Sequence, residues 1–214
     1  MNILLTAATE NELLVAKQAG INSSHQTTCV ITGIGATATA YHTLKQLQNA
    51  SYDLLINIGI AGSFTDRLPV GSIALVKKEY FGDLGVQSPA GFSGLFDEQL
   101  LRADTFPFTK DALVCPYTDT AIAKIPDSIL RATGVTVQTA SGQLSRISEL
   151  RERYAADIET MESAAFFYVC LYEKIPFLAL RAISNKVEPR DKSQWDIPLA
   201  LQNLKIALKE ILRA

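Results

Sequence analysis

The feature of this chain that most restricts its fold is an alternation of short, nearly unbroken apolar runs with amphipathic stretches. NILLTA, TTCVITG, DLLINIG, SIALVK, TVQTAS and FLALRAIS are rich in Ile, Leu, Val and Thr and are closed by Gly, Ser or Asn, which predicts strands. Between them, ENELLVAKQAG, ATATAYHTLKQLQNA, LSRISELRERYA and ESAAFFYVCLYEK carry apolar residues at helical spacing. IPLALQNLKIALKEIL is the clearest amphipathic helix, with Leu201, Leu204, Leu208 and Leu212 on one face. Strands that are apolar on both sides need cover on both sides. The pattern therefore predicts an α/β layered domain around a largely parallel sheet.

A length of 214 residues allows one large domain or two small ones. No repeat, low-complexity tract or linker-like shift interrupts the chain, so one domain over 1–214 is expected. Residues 80–127 break the rhythm and hold four of the eight prolines, Pro89, Pro107, Pro116 and Pro126, which predicts long loops. The formal net charge of −2 leaves no basic footprint for nucleic acid or an anionic membrane. No window approaches the ~20 apolar residues of a spanning helix. MNILLTAATENELL lacks a basic leader region and a small-residue cleavage site, so no secretory signal is read and a cytoplasmic protein is expected. Cys29, Cys115 and Cys170 are far apart and each adjoins an apolar run, which fits buried thiols in a reducing compartment. Two histidines, His25 and His42, argue against a zinc centre and do not favour a Ser-His-Asp triad.

Ligands of open α/β sheets bind beyond the carboxyl ends of strands, which selects four segments. TAATENE sets Glu10 and Glu12 after the first strand. Each is either a solvated first-turn acid favoured by the helix dipole or a base that takes a proton from water, and spacing does not choose. NIGIAGS puts Gly59 and Gly62 at a strand end, as a plain turn or as a close backbone approach to a ligand; it forms neither GxGxxG nor a Walker loop. GIGATA repeats that pattern more weakly. In DIETMESAAFF, Glu162 either opens the next helix or accepts bonds from two neighbouring sugar hydroxyls, with Met161 as an apolar wall. In RAISNKVEPRD, Asn185 ends a buried strand, where an Asn commonly bonds its own backbone.

As a set, and in order over most of the chain, these segments resemble the nucleoside phosphorylase/hydrolase superfamily and its bacterial purine nucleosidases. ATENE is similar to the start of methylthioadenosine/S-adenosylhomocysteine nucleosidases, NIGIAGSFTDRLPVGSIALVKKE to the family's Gly-rich segment and next strand, ETMESAA to its ribose-binding Met-Glu, and LRAISN to the strand bearing its catalytic acid. The resemblance implies a three-layer fold with a mostly parallel mixed sheet flanked by helices. It also implies Glu12 as water-activating base, Met161 and Glu162 on the ribose, and Ala61, Gly62 and Ser184 lining the substrate site. No cofactor or metal is implied, and the expected assembly is a homodimer whose partner closes the site through residues 80–110.

One departure is informative. The adenine-directed nucleosidases end that strand in Ser-Asp, whose acid protonates the leaving adenine; here the pair is Ser184-Asn185. An amide donates and accepts hydrogen bonds but releases no proton, which suits a 6-oxopurine. EYFGDLGV and ISNKVEPRDKSQWDIPLAL resemble the futalosine hydrolase family, which releases hypoxanthine from futalosine in the alternative menaquinone route. That resemblance implies Asn185 on the base and Asp191 as a more distant acid; Arg190 and Lys186 are either solvated loop charges or partners for the substrate's carboxylate. The base-stacking aromatic of the relatives has no counterpart in SGQLSRIS, which leaves Leu144 or a residue elsewhere. Rival readings are adenine release, a phosphorylase, whose phosphate a carboxylate at position 12 would repel, a non-catalytic purine-binding module, and a purely structural α/β protein.

Overall fold

The computed structural model describes residues 1–19, 25–117, 125–189 and 191–212. The chain lays down β1 (Asn2–Ala7), α1 (Glu10–Gln18), β2 (Gln26–Ile31), α2 (Ala36–Asn49), β3 (Leu54–Ser63) and β4 (Ile73–Phe81). Next come the hairpin strands β5 (Gly85–Ser88) and β6 (Gly91–Gly94) and the short β7 (Leu113–Val114). β8 (Leu130–Thr136), α3 (Leu144–Tyr154), β9 (Ile158–Thr160), α4 (Ser163–Tyr172), β10 (Phe177–Lys186) and α5 (Ile197–Ile211) complete the fold.

The main sheet runs β10-β4-β8-β9-β3-β1-β2, with β7 on β4. β10 also pairs with β3, so β10, β4, β8, β9 and β3 close on themselves, and β1 and β2 extend from β3. Pairings β1–β2, β1–β3, β10–β3, β4–β8 and β8–β9 are parallel; β10–β4, β3–β9 and β4–β7 are antiparallel. This is the mostly parallel, mixed sheet expected from the resemblance.

Alternation along β1 shows why the sheet has helices on both faces. Ile3, Leu5 and Ala7 join Leu13 and Ala16 of α1 and Leu204, Leu208 and Ile211 of α5 in one core. Leu4, with Leu55 and Ala179, faces the other way, toward Phe166, Phe167 and Cys170 of α4. Each such side chain contributes roughly 1.5–3 kcal/mol by leaving water. Leu204, Leu208 and Leu212 bury the expected face of α5, with Leu201 half-buried at its edge. Cys115 and Cys170 are buried thiols outside any disulfide, and Cys29 is half-buried.

Two sequence expectations need adjustment. The strand expected at TVQTAS ends at Thr136; the ladder instead uses LRATGVT, Leu130–Thr136. Half-buried Arg131 and Thr133 hide that strand from an apolar-run reading, and Thr136 spends its hydroxyl inside the core. The loop-rich segment contains the β5–β6 hairpin besides its loops.

Candidate active site

The carboxyl ends of β1, β3, β8, β9 and β10 converge on a cavity of about 560 Å³, ample for a nucleoside. Its wall includes Glu12, Ala61, Gly62, Met161, Glu162, Ser184, Asn185 and Asp191, which the sequence singled out.

Glu12 is the third residue of α1, and Thr9 caps that helix in a reciprocal capping box. Its Oε2 accepts from the Thr9 amide (2.9 Å) and hydroxyl (2.7 Å), and its Oε1 accepts from the Ile60 amide (3.1 Å). A Cβ on Gly59 would stand 3.0 Å from that Oε1, so the absent side chain makes room for the carboxylate. Glu12 is buried on the cavity wall, whereas Glu10 is exposed.

Glu162 occupies the N-cap position of α4 but makes no side-chain cap bond. Its Oε1 instead accepts from the Gly35 amide (3.0 Å) in the loop before α2. Gly35 has φ +90°, a conformation natural to glycine, which turns that amide toward the site. Burial pushes the Glu162 carboxyl upward, opposed by the Gly35 bond and by Arg181. Half-buried Met161 flanks it on the cavity wall.

A bulge in the β10–β3 ladder between Ile183 and Asn185 re-aims the end of β10. The Ser184 hydroxyl donates to Asn185 Oδ1 (2.8 Å), and Asn185 Nδ2 donates to the Lys186 carbonyl (2.8 Å). Asn185 thus makes the local backbone bond common at strand ends while also standing on the cavity wall.

Asp191 caps a single 3-10 turn on the rim and accepts from the hydroxyl (2.7 Å) and amide (2.9 Å) of Ser193. Those bonds hold its carboxyl below the usual range, the reverse of what a proton donor needs. Lys186 is exposed and paired with Asp66 at 2.5 Å. Arg190 lies outside the described residues. Leu144 is 67% exposed at the start of α3 and takes no part in the cavity wall.

Beneath the site lies a residue that the sequence reading left inside a strand. Arg181 is fully buried, and its guanidinium donates to the Asn57 carbonyl (3.2 Å), the Asn57 side chain, and the Ser163 hydroxyl (2.8 Å). Burial depresses its proton affinity, while Glu162, Glu79 and Glu12 support the cation. Glu79 is completely enclosed and its carboxyl is pushed up to about 8, chiefly by desolvation, against the Thr136 hydroxyl and Arg181. A buried cation beneath two site carboxylates keeps them from repelling one another in a low-dielectric floor. The cavity thus brings together two carboxylates, Glu12 and Glu162, and the neutral amide of Asn185.

Residues 18–213 match the family described as Phosphorylase superfamily. The chain belongs to that superfamily. Within the phosphorylase superfamily it is 32% identical over 166 residues to a futalosine hydrolase of Streptomyces coelicolor, covering 77% of this chain and 67% of that one. It is also 32% identical over 197 residues to a futalosine hydrolase of Acidothermus cellulolyticus, covering 89% and 78%. In fold it is similar to the Streptococcus pneumoniae MTA/SAH nucleosidase in complex with 8-aminoadenine, with TM-score 0.83, 20% identity and full coverage of both chains. It is likewise similar to the futalosine hydrolase of Helicobacter pylori strain 26695, with TM-score 0.77, 13% identity, and 100% and 97% coverage.

Proposed function

We propose that this superfamily member is an N-glycosyl hydrolase that cleaves futalosine to hypoxanthine and dehypoxanthine futalosine, a step of the futalosine route to menaquinone. The reading is carried by one arrangement. Glu12 and Glu162 lie on a single cavity whose strand-end position 185 is an amide, in a chain 32% identical to futalosine hydrolases.

N-glycosidic cleavage passes through an oxocarbenium-like state, as in O-glycoside hydrolysis. Glu12, held by Thr9 and Ile60, takes a proton from the water that attacks C1′. Glu162 accepts bonds from the 2′ and 3′ hydroxyls with its remaining lone pairs, and Met161 packs against the sugar. The two carboxylates offset the positive charge that exists only at the transition state. Ala61, Gly62 and Ser184 form the cavity wall beside the base, and the Asn185 amide bonds a 6-oxopurine. Asp191 belongs to the rim, bound to Ser193, rather than to the proton path.

The same reading includes a homodimer in the cytoplasm. Helices α2 and α4 pack side by side and expose Tyr41, Leu44, Tyr168 and Tyr172, and Ile34 is 64% exposed at the cavity. Such apolar exposure fits cover by a second copy. Among the described residues no helix is long and apolar enough to cross a membrane.

The test incubates the protein with futalosine, with and without phosphate, and follows base and sugar by chromatography. Hypoxanthine and the free sugar in equal amounts without phosphate are expected. Cleavage that requires phosphate and yields a sugar phosphate would establish a phosphorylase instead.

A further inference from the structure

The mechanism above lacks a proton donor for the departing purine, because Asn185 is an amide and Asp191 is held ionised. The sheet register points to another group. Asn185 pairs with Gly62 across β10–β3, and Gly62 pairs with Glu159 across β3–β9. Registered residues of neighbouring strands project to the same face, and two strand spacings separate their Cα atoms by about 10 Å. Asn185 and Glu159 therefore flank a glycine floor about as wide as a purine with a hydrogen bond at each end. Both residues line the cavity.

Glu159 is only 8% exposed. Its Oε1 accepts from the Ser141 amide (3.0 Å), the Ser141 hydroxyl stands beside the same carboxyl, and Oε2 is buried with no direct hydrogen bond among the described residues. A buried carboxyl oxygen left open at one end of a cavity is costly in the free protein and suited to a polar ligand edge. It was given no role by the base, sugar and water assignments above.

We propose that Glu159 is the leaving-group acid, facing the purine across Gly62 from Asn185. As the C1′–N9 bond breaks, its electron pair passes to the purine, and the Glu159 carboxyl gives its proton to a ring acceptor of that base. Water oxygen bonds C1′, and Glu12 takes the proton that water loses. Glu159 leaves the step as carboxylate and Glu12 as acid, and exchange with solvent restores both. Burial raises the Glu159 carboxyl above its ordinary value, opposed by the Ser141 hydroxyl and amide and by Arg146, and Asp83 adds a smaller push upward. Of these, Arg146 lies on α3 and Asp83 precedes β5.

This inference rests on the nucleosidase reading, so the experiment separates the two. Wild type and Glu159→Gln, which keeps an acceptor for the Ser141 amide, are assayed on futalosine, on inosine, which releases the same base, and on 4-nitrophenyl riboside, whose leaving group needs no acid. Glu159→Gln should lower kcat for hypoxanthine release about 10²-fold with KM little changed, remove the alkaline limb of the pH profile, and spare the nitrophenyl substrate. Unchanged kcat and pH profile in Glu159→Gln, or equal losses on all three substrates, would overturn the proposal. Wild-type inactivity on futalosine alone removes the substrate reading while the inosine arm still judges Glu159. Inactivity on both overturns Glu159 as well. A thermal melt of the variant, expected to match wild type, guards against a folding artefact.

Discussion

A carboxamide at position 185 holds a purine by donating and accepting but is not itself a proton source, so residue 185 bears on which base can leave. Asn185→Asp should reduce hypoxanthine release at neutral pH by about tenfold or more, since an ionised carboxylate presents no donor to O6 or N7. Release at the wild-type rate, followed by chromatography, would remove the amide from the account. Glu12→Gln should lower kcat by about 10²- to 10⁴-fold with a small change in KM, measured in steady state. At this scale the sequence was partly legible. Glu162 and Asn185 stood out as polar groups at strand ends, whereas Glu10 and Glu12 were separable only once Ile60 and Gly59 were known to surround one of them. Arg181 was hidden because its partners, Asn57 and Ser163, are distant in sequence.

Among the elements, the entry to α1 links stability to chemistry. Thr9 caps the helix and also holds Oε2 of Glu12, so Thr9→Ala should cost about 0.5–2 kcal/mol in unfolding free energy and lower kcat too. A stability loss with kcat intact would mean that Thr9 only caps. The β4–β8 ladder carries a second device: a Cβ on Gly134 would lie 2.2 Å from Glu79 Oε2, so the glycine creates the chamber for that buried acid. Because the folded value of Glu79 is about 8 against 4.5 in the open chain, the folded state keeps a proton that the unfolded state loses. Its contribution to stability is whole below about pH 4.5 and falls by up to ~1.4 kcal/mol per pH unit as pH rises toward 8. Glu79→Gln should flatten that slope in denaturant titrations at several pH values; an identical slope would show that Glu79 ionises freely. The sequence placed Glu12 in the first turn of a helix, but the capping box with Thr9 and its second use required the fold. The strand LRATGVT was not legible, because Arg131 and Thr133 interrupt its apolar run and Thr136 finds its partners, Glu79 and Thr160, on other strands.

For the whole molecule, alternation of apolar runs and amphipathic stretches was enough to indicate a layered α/β sheet. It did not indicate that β10 pairs with both β3 and β4 and so closes five strands on themselves. Closure depends on pairings between segments more than a hundred residues apart, which no local pattern records. Treated as one domain, the chain should unfold in a single calorimetric transition. If a second copy covers α2 and α4, sedimentation should give a dimer and Tyr41→Glu should shift it toward monomer; a wild-type monomer would refute the assembly. The central claim concerns which base leaves, and the most direct measurement is kcat/KM for futalosine against methylthioadenosine in the same phosphate-free buffer. The account predicts a ratio favouring futalosine by about 10²-fold or more, with hypoxanthine as the only base released. Adenine appearing from methylthioadenosine while futalosine stays intact would contradict it.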